Sequence, residues 1–173
     1  GVDVEKFIKT QVEISLKNLN IDYLDVLLLH YPMQLNTSVG DKIYNILNKL
    51  IEECKILSFG YSVYSPEEFL KIHKLFKSQV CQIPFNIFDQ RILNNDFQEL
   101  IIKDKITLQI RSVFLQGLLL LKKNELNNYF NSWYEHFAQY YNHLSISKTK
   151  SLDLCYNFAQ SNKLAKNIII GIN

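Results

Sequence analysis

Apolar residues along this chain recur at two spacings. Val4, Phe7, Ile8, Val12, Leu16 and Leu19 fall three and four apart, the stripe of an amphipathic helix that Asp3 can cap. Asn18, Asn20 and Asp22 mark the turn that follows. The run Leu24-Asp25-Val26-Leu27-Leu28-Leu29 is almost continuously apolar and stops at His30-Tyr31-Pro32. It reads as a parallel strand buried on both faces, ended by a proline that cannot continue a ladder. Asp25 inside it is expected to be a buried acid paired with a nearby helix. After a polar loop over 34–40, Ile43, Ile46, Leu47, Leu50 and Ile51 predict a second helix, and residues 56–61 a second strand. Gly60 there lets the backbone turn tightly or approach another group closely.

Ser65-Pro66-Glu67-Glu68 is a helix start: Ser65 fits the N-cap, Pro66 the first turn, and Glu68 completes a capping box. Phe69, Leu70, Ile72, Leu75 and Phe76 form its buried stripe. A strand over 80–83, a loop over 84–89, a short helix near 97–102 and a strand over 107–111 come next. Leu115 to Leu121 is apolar and holds Gly117. Tyr129, Phe130, Trp133, Tyr134, Phe137, Tyr140 and Tyr141 recur at roughly helical spacing and predict an aromatic helix face packed on the sheet. A helix over 152–164 and a strand over 167–171 finish the chain.

Strands alternate with helices throughout, which predicts an α/β fold with a parallel sheet and right-handed crossovers. About five strand–helix units are visible, where a (β/α)8 TIM barrel has eight and about 250 residues. The expectation is one domain over 1–173, an incomplete barrel whose two edge strands leave it marginally folded, prone to aggregate or paired with another copy. With 173 residues and 47% hydrophobic content there is enough apolar matter for a core, and the net charge of +2 is interspersed. That argues against a nucleic-acid or membrane partner. Cys54, Cys81 and Cys155 lie far apart and read as reduced core thiols of a cytoplasmic protein. His136 and His143 have no third ligand at metal spacing, so no metal site is expected. The chain starts at Gly1 rather than Met, so the lack of a signal peptide is uninformative.

Strand C-terminal ends carry the chemistry of parallel α/β folds, which puts His30 where a site would be. A polar residue satisfied under a loop is the alternative. Tyr31 can line a substrate mouth or simply pack a loop.

In order along the chain, several segments resemble the aldo-keto reductase family. Ser15 through Asp22-Tyr23-Leu24-Asp25 to Leu29-His30-Tyr31-Pro32 is similar to its helix–strand signature ending in a catalytic histidine. Lys55-Ile56-Leu57-Ser58-Phe59-Gly60-Tyr61-Ser62 resembles the next strand, and Cys81-Gln82-Ile83-Pro84-Phe85-Asn86 the one after. Arg111-Ser112-Val113-Phe114-Leu115-Gln116-Gly117-Leu118-Leu119 is similar to its Ser-Pro-Leu…Gly-Leu-Leu segment, and 167–171 to its last strand. The resemblance implies an oxidoreductase that reduces an aldehyde or ketone with NADP(H) or NAD(H), its partner being that small carbonyl substrate. It implies His30 as catalytic, and Ser62 and Gln82 on the nicotinamide carboxamide. Arg111 stands where many members stack an aromatic on the nicotinamide, and a guanidinium plane can stack too. Ser112, Phe114 and Gly117 match the segment lining the diphosphate. Val63 replaces the usual asparagine beside Ser62. The family's Tyr, Lys and Asp partners would precede Gly1, so the chain reads as an inactive fragment of a larger reductase. A non-catalytic, barrel-derived binding or regulatory subunit is the alternative.

Overall fold

The computed structural model describes residues 3–171, so the terminal Gly1 and Asn173 lie outside it. The chain groups into two compact units, Gly1–Ile83 with Arg91–Gln109, and Pro84–Gln90 with Ile110–Asn173.

In the first unit the caps act as the sequence predicts. Asp3 accepts from the backbone of Glu5 and Lys6 and starts α1 (Val4–Leu19), which Asn20 ends in a left-handed conformation. α1 buries Val12 and Leu16, while Phe7 and Leu19 face solvent. β1 (Leu27–Leu29) is shorter than the apolar run and only half-buried, a correction to the strand covered on both faces. Among the described residues it is the outer strand of its sheet and pairs with β2 (Phe59–Ser62) alone. Asp25 is exposed rather than buried, because Leu24 and Ile56 meet there in an isolated bridge outside the strands. Its backbone carbonyl accepts from Ser58 Oγ at 2.8 Å.

The loop after Pro32 begins with a 3-10 turn over Pro32–Asn36. α2 (Gly40–Glu52) then buries Ile43, Ile46, Leu47 and Leu50 on one face. Each such side chain contributes about 1.5–3 kcal/mol on leaving water. Cys54, in a left-handed turn after α2, is exposed, unlike the buried Cys81 and Cys155. α3 (Pro66–Leu75) starts with Ser65 Oγ accepting from Glu68 N at 3.3 Å. Glu68 reaches back to Tyr64 N at 2.8 Å rather than to Ser65, so the box is displaced by one residue. α3 buries Phe69, Ile72 and His73, but Leu75 is exposed. Phe69 meets Phe97 of α4 (Asn95–Lys103) edge-on at 6.0 Å.

β2 pairs in parallel with β1 and with β3 (Val80–Pro84). The backbones of β2 and β3 pass so close at Gly60 that a Cβ there would stand 2.2 Å from the Val80 carbonyl oxygen. β4 (Thr107–Arg111) starts beside β3 with Thr107 N on Gln79 O and runs on into the second unit. There it meets β5 (Ala165–Ile168) and the residue after it, Ile169 N donating to Ile110 O at 2.8 Å. The strand order is thus that of the chain, β1-β2-β3-β4-β5.

The aromatic band of the second unit is divided. Asn128–Trp133 is a 3-10 turn and α5 is Tyr134–Ser147. Phe137 and Tyr140 are buried, whereas Tyr129, Trp133 and Tyr134 are exposed, so the band is not one packed helix face. Three residues per turn rotate Tyr129 and Trp133 away from the direction that continuous α-helix would give them. Phe88 packs edge-on against Phe137 and Tyr140, and Tyr140 Oη donates to Leu119 O at 2.8 Å. α6 (Ser151–Gln160) ends four residues short of Leu164, leaving room for β5 to begin at Ala165.

Candidate active site

In the first unit the register of β1, β2 and β3 relates three of the predicted residues. Leu29 pairs with Tyr61 and Ser62 with Gln82, so Ser62 at the end of β2 stands level with Gln82 in the middle of β3, and His30 is the residue that follows β1. His30 and Tyr31 leave β1 together and both face solvent, Tyr31 at 75% exposure. Ser62 is buried and donates from Oγ to Gln82 Oε1 at 3.3 Å. Gln82 Nε2 donates in turn to Gln109 Oε1 at 3.1 Å, extending the polar row onto β4. Val63 is fully buried beside Ser62, and its backbone N–H bonds Gln82 O at 2.9 Å.

The second unit holds the other predicted residues. Arg111, Ser112, Phe114 and Gly117 line one cavity of about 580 Å3, together with Ile169, Ile170 and Gly171. Arg111 Nη1 donates to Ser112 Oγ at 3.3 Å. Ser112, Leu115 and Gln116 have positive φ of 57, 48 and 54°, followed by Gly117 at 87°. Non-glycine residues seldom adopt this region, and clusters of such conformations gather at ligand sites. Asn86 secures the start of the turn: it is 1% exposed, and its Nδ2 donates to Ser112 O at 3.1 Å. Its Oδ1 accepts from Phe88 N and Asp89 N, both at 2.9 Å. A guanidinium, a hydroxyl and a tightly turned backbone around one cavity are a donor set suited to phosphate oxygens.

Sequence reading assigned no role to Gln109 or to Asn86 as an anchor. Gln109 is visible as a polar position alternating with buried Leu108 and Ile110, but its partner lies 27 residues away. Among the described residues no group of three His, Cys, Asp or Glu could hold a metal ion. No helix among them is long and apolar enough to cross a membrane.

The aldo/keto reductase family model matches residues 4–170. The chain is 27% identical over 114 residues to an NADH-specific methylglyoxal reductase of Escherichia coli, covering 65% of this chain and 34% of that protein. It is 28% identical over 115 residues to the aldo-keto reductase YhdN of Bacillus subtilis, covering 66% and 34%. Among solved structures, the apo form of aldo-keto reductase AKR11C1 from Bacillus halodurans superposes with a TM-score of 0.74 at 20% identity, over 98% of this chain and 58% of that one. The glycerol dehydrogenase AKR11B4 from Gluconobacter oxydans gives 0.69 at 20% identity, over 95% and 54%. The match thus spans about a third of those curated relatives and a little over half of those solved chains. The chain belongs to the aldo/keto reductase family, and its five strand–helix units have the fold of that family's TIM barrel.

Proposed function

With that membership as the premise, we propose that the chain is part of an oxidoreductase reducing an aldehyde or ketone with NADP(H) or NAD(H). The observation that carries the reading is the register that sets Ser62 level with Gln82 and pairs Leu29, the residue before His30, with Tyr61, the residue before Ser62. When bound, the nicotinamide supplies a hydride. His30 hydrogen-bonds the carbonyl oxygen and orients it, a contact that strengthens as negative charge gathers on that oxygen. Ser62 and Gln82 hold the nicotinamide carboxamide, and the Arg111 guanidinium stacks on the ring. Ser112, Phe114 and Gly117 line the diphosphate, which their cavity and left-handed backbone suit. Tyr31 faces the substrate. The proton-donating Tyr and its Lys–Asp pair match no position of this chain, so the proposal assigns them to a longer protein and expects no turnover from these 173 residues alone.

The test is aldehyde reduction by the full-length protein, followed by loss of NADPH or NADH absorbance. His30→Ala should lower turnover by about 100-fold or more and change cofactor affinity less than about twofold. Near-normal turnover in that variant would remove His30 from the chemistry. The buried Val63, which replaces an amide, favours a second reading, a binding subunit without catalysis. Tight nicotinamide binding with no turnover in the full-length protein supports that reading.

A further inference from the structure

We propose that Gln109 is a positioning residue that sets which way round the Gln82 amide is presented, and so adapts this site to a carboxamide. The inference rests on the cofactor reading above. Ser62 Oγ donates to Gln82 Oε1 at 3.3 Å, and Gln82 Nε2 donates to Gln109 Oε1 at 3.1 Å. A primary amide has two acceptor lone pairs and two N–H donors, and this row uses one of each. Gln82 keeps one lone pair and one N–H, in a fixed orientation. A carboxamide has the complementary pair, an N–H for the lone pair and an oxygen for the donor.

Ser62 alone does not fix that orientation, because a hydroxyl donates to an amide oxygen or accepts from an amide N–H equally well. Gln109 Oε1 accepts from Gln82 Nε2 on the far side, and the two contacts together set the Gln82 amide one way round in this structure. Its own position follows from β4, where Thr107, Gln109 and Arg111 are half-buried and alternate with the buried Leu108 and Ile110. The place of the usual asparagine is taken by Val63, whose side chain offers no hydrogen bond. The discrimination that an asparagine would share thus falls on Gln82, and its orientation matters more.

The experiment compares reduced NAD(P) with its reduced 3-acetylpyridine analogue, in which a methyl replaces the amide nitrogen. Affinities are measured by nucleotide fluorescence on the full chain and on two variants. Gln109→Met keeps the side-chain length and removes the acceptor, whereas Gln109→Glu keeps an acceptor. Gln109→Met should weaken the carboxamide cofactor about five- to tenfold and the acetyl analogue less than about twofold, with an unchanged melting temperature. Gln109→Glu should bind the carboxamide cofactor nearly as the parent does. Equal losses for both nucleotides, no loss for either, or a loss in Gln109→Glu matching that in Gln109→Met would overturn the role. If the parent chain binds neither nucleotide, the cofactor reading itself fails and this role falls with it.

Discussion

Gly60 and His73 show how single residues shape this chain. At Gly60 an added Cβ would stand 2.2 Å from Val80 O and 2.6 Å from Val80 Cβ. Gly60→Ala forces the backbones of β2 and β3 apart and should cost about 2–4 kcal/mol, read as a lower urea midpoint. Ser62 and Gln82 lie two residues further along the same two strands, so cofactor binding should weaken with it. His73 is 1% exposed; its Nδ1 accepts from Ser78 N at 3.2 Å and its Nε2 lies 2.9 Å from Asp104 Oδ2. Lys77 Nζ is 2.7 Å from the same oxygen. Burial lowers the His73 pKa from its ordinary 6.5, with Lys77 adding to that and the Asp104 carboxylate opposing it. The unfolded chain therefore binds this proton more readily, and stability falls as pH drops below about 6.5. The urea midpoint should decrease from pH 7.5 to 5, and His73→Gln should flatten that decrease. Asp104, lowered chiefly by Lys77 and then by His73, adds its own loss only below its ordinary 3.8, outside that window. His73 was legible in principle, since with Phe69, Ile72 and Phe76 it fills positions i, i+4, i+3 and i+7 of a buried stripe. Its polar flank of Lys71 and Lys74 hid it, and Asp104 is 31 residues away.

Elements with local punctuation were the most readable. Asp3, Asn20, Ser65 and Pro66 mark helix ends by chemistry confined to a few neighbouring residues, and α1 and α3 begin where they indicate. Ser65→Ala removes the acceptor for Glu68 N and should destabilise by about 1 kcal/mol in thermal or urea unfolding. β1 and the aromatic band were less readable because length and packing there depend on distant partners. A run of six residues yields a three-residue strand here, where among the described residues β2 is its single partner strand. The segment after β4 is set by backbone rather than by side-chain pattern. Gly117 has φ of 87° with open space where a Cβ would stand, so Gly117→Ala meets conformational strain without a clash. It should cost about 1 kcal/mol, and Gly117→Asn less, because asparagine tolerates the left-handed region better. Nucleotide affinity measured on both variants shows whether the turn also serves the ligand.

Across the whole molecule, the order of strands and helices was legible because each crossover announces itself in the hydrophobic period, and all five strands occur in the predicted order. The register of the strands was not legible, because it depends on backbone pairing between segments about 20–30 residues apart. His30, Ser62 and Gln82 were therefore assigned by resemblance, and the register then set Ser62 level with Gln82 and Leu29, the residue before His30, opposite Tyr61. A nucleotide that binds only the folded chain raises its melting temperature. NAD(P)H at about 100 times its Kd should add about 2.7 kcal/mol, and adenosine at the same concentration much less. No shift with either nicotinamide nucleotide would count against the cofactor proposal. The chain also has a built-in optical reporter. Trp133 is its single tryptophan, 48% exposed, and sits among Tyr129 and Phe130 in the 3-10 turn before α5. Light at 295 nm excites this indole selectively, so emission colour and quenching describe the surroundings of one turn in the second unit. The ten tyrosines, excited at shorter wavelength, sample both units, and comparing the two signals during denaturation sets the second unit's trace against the average over both.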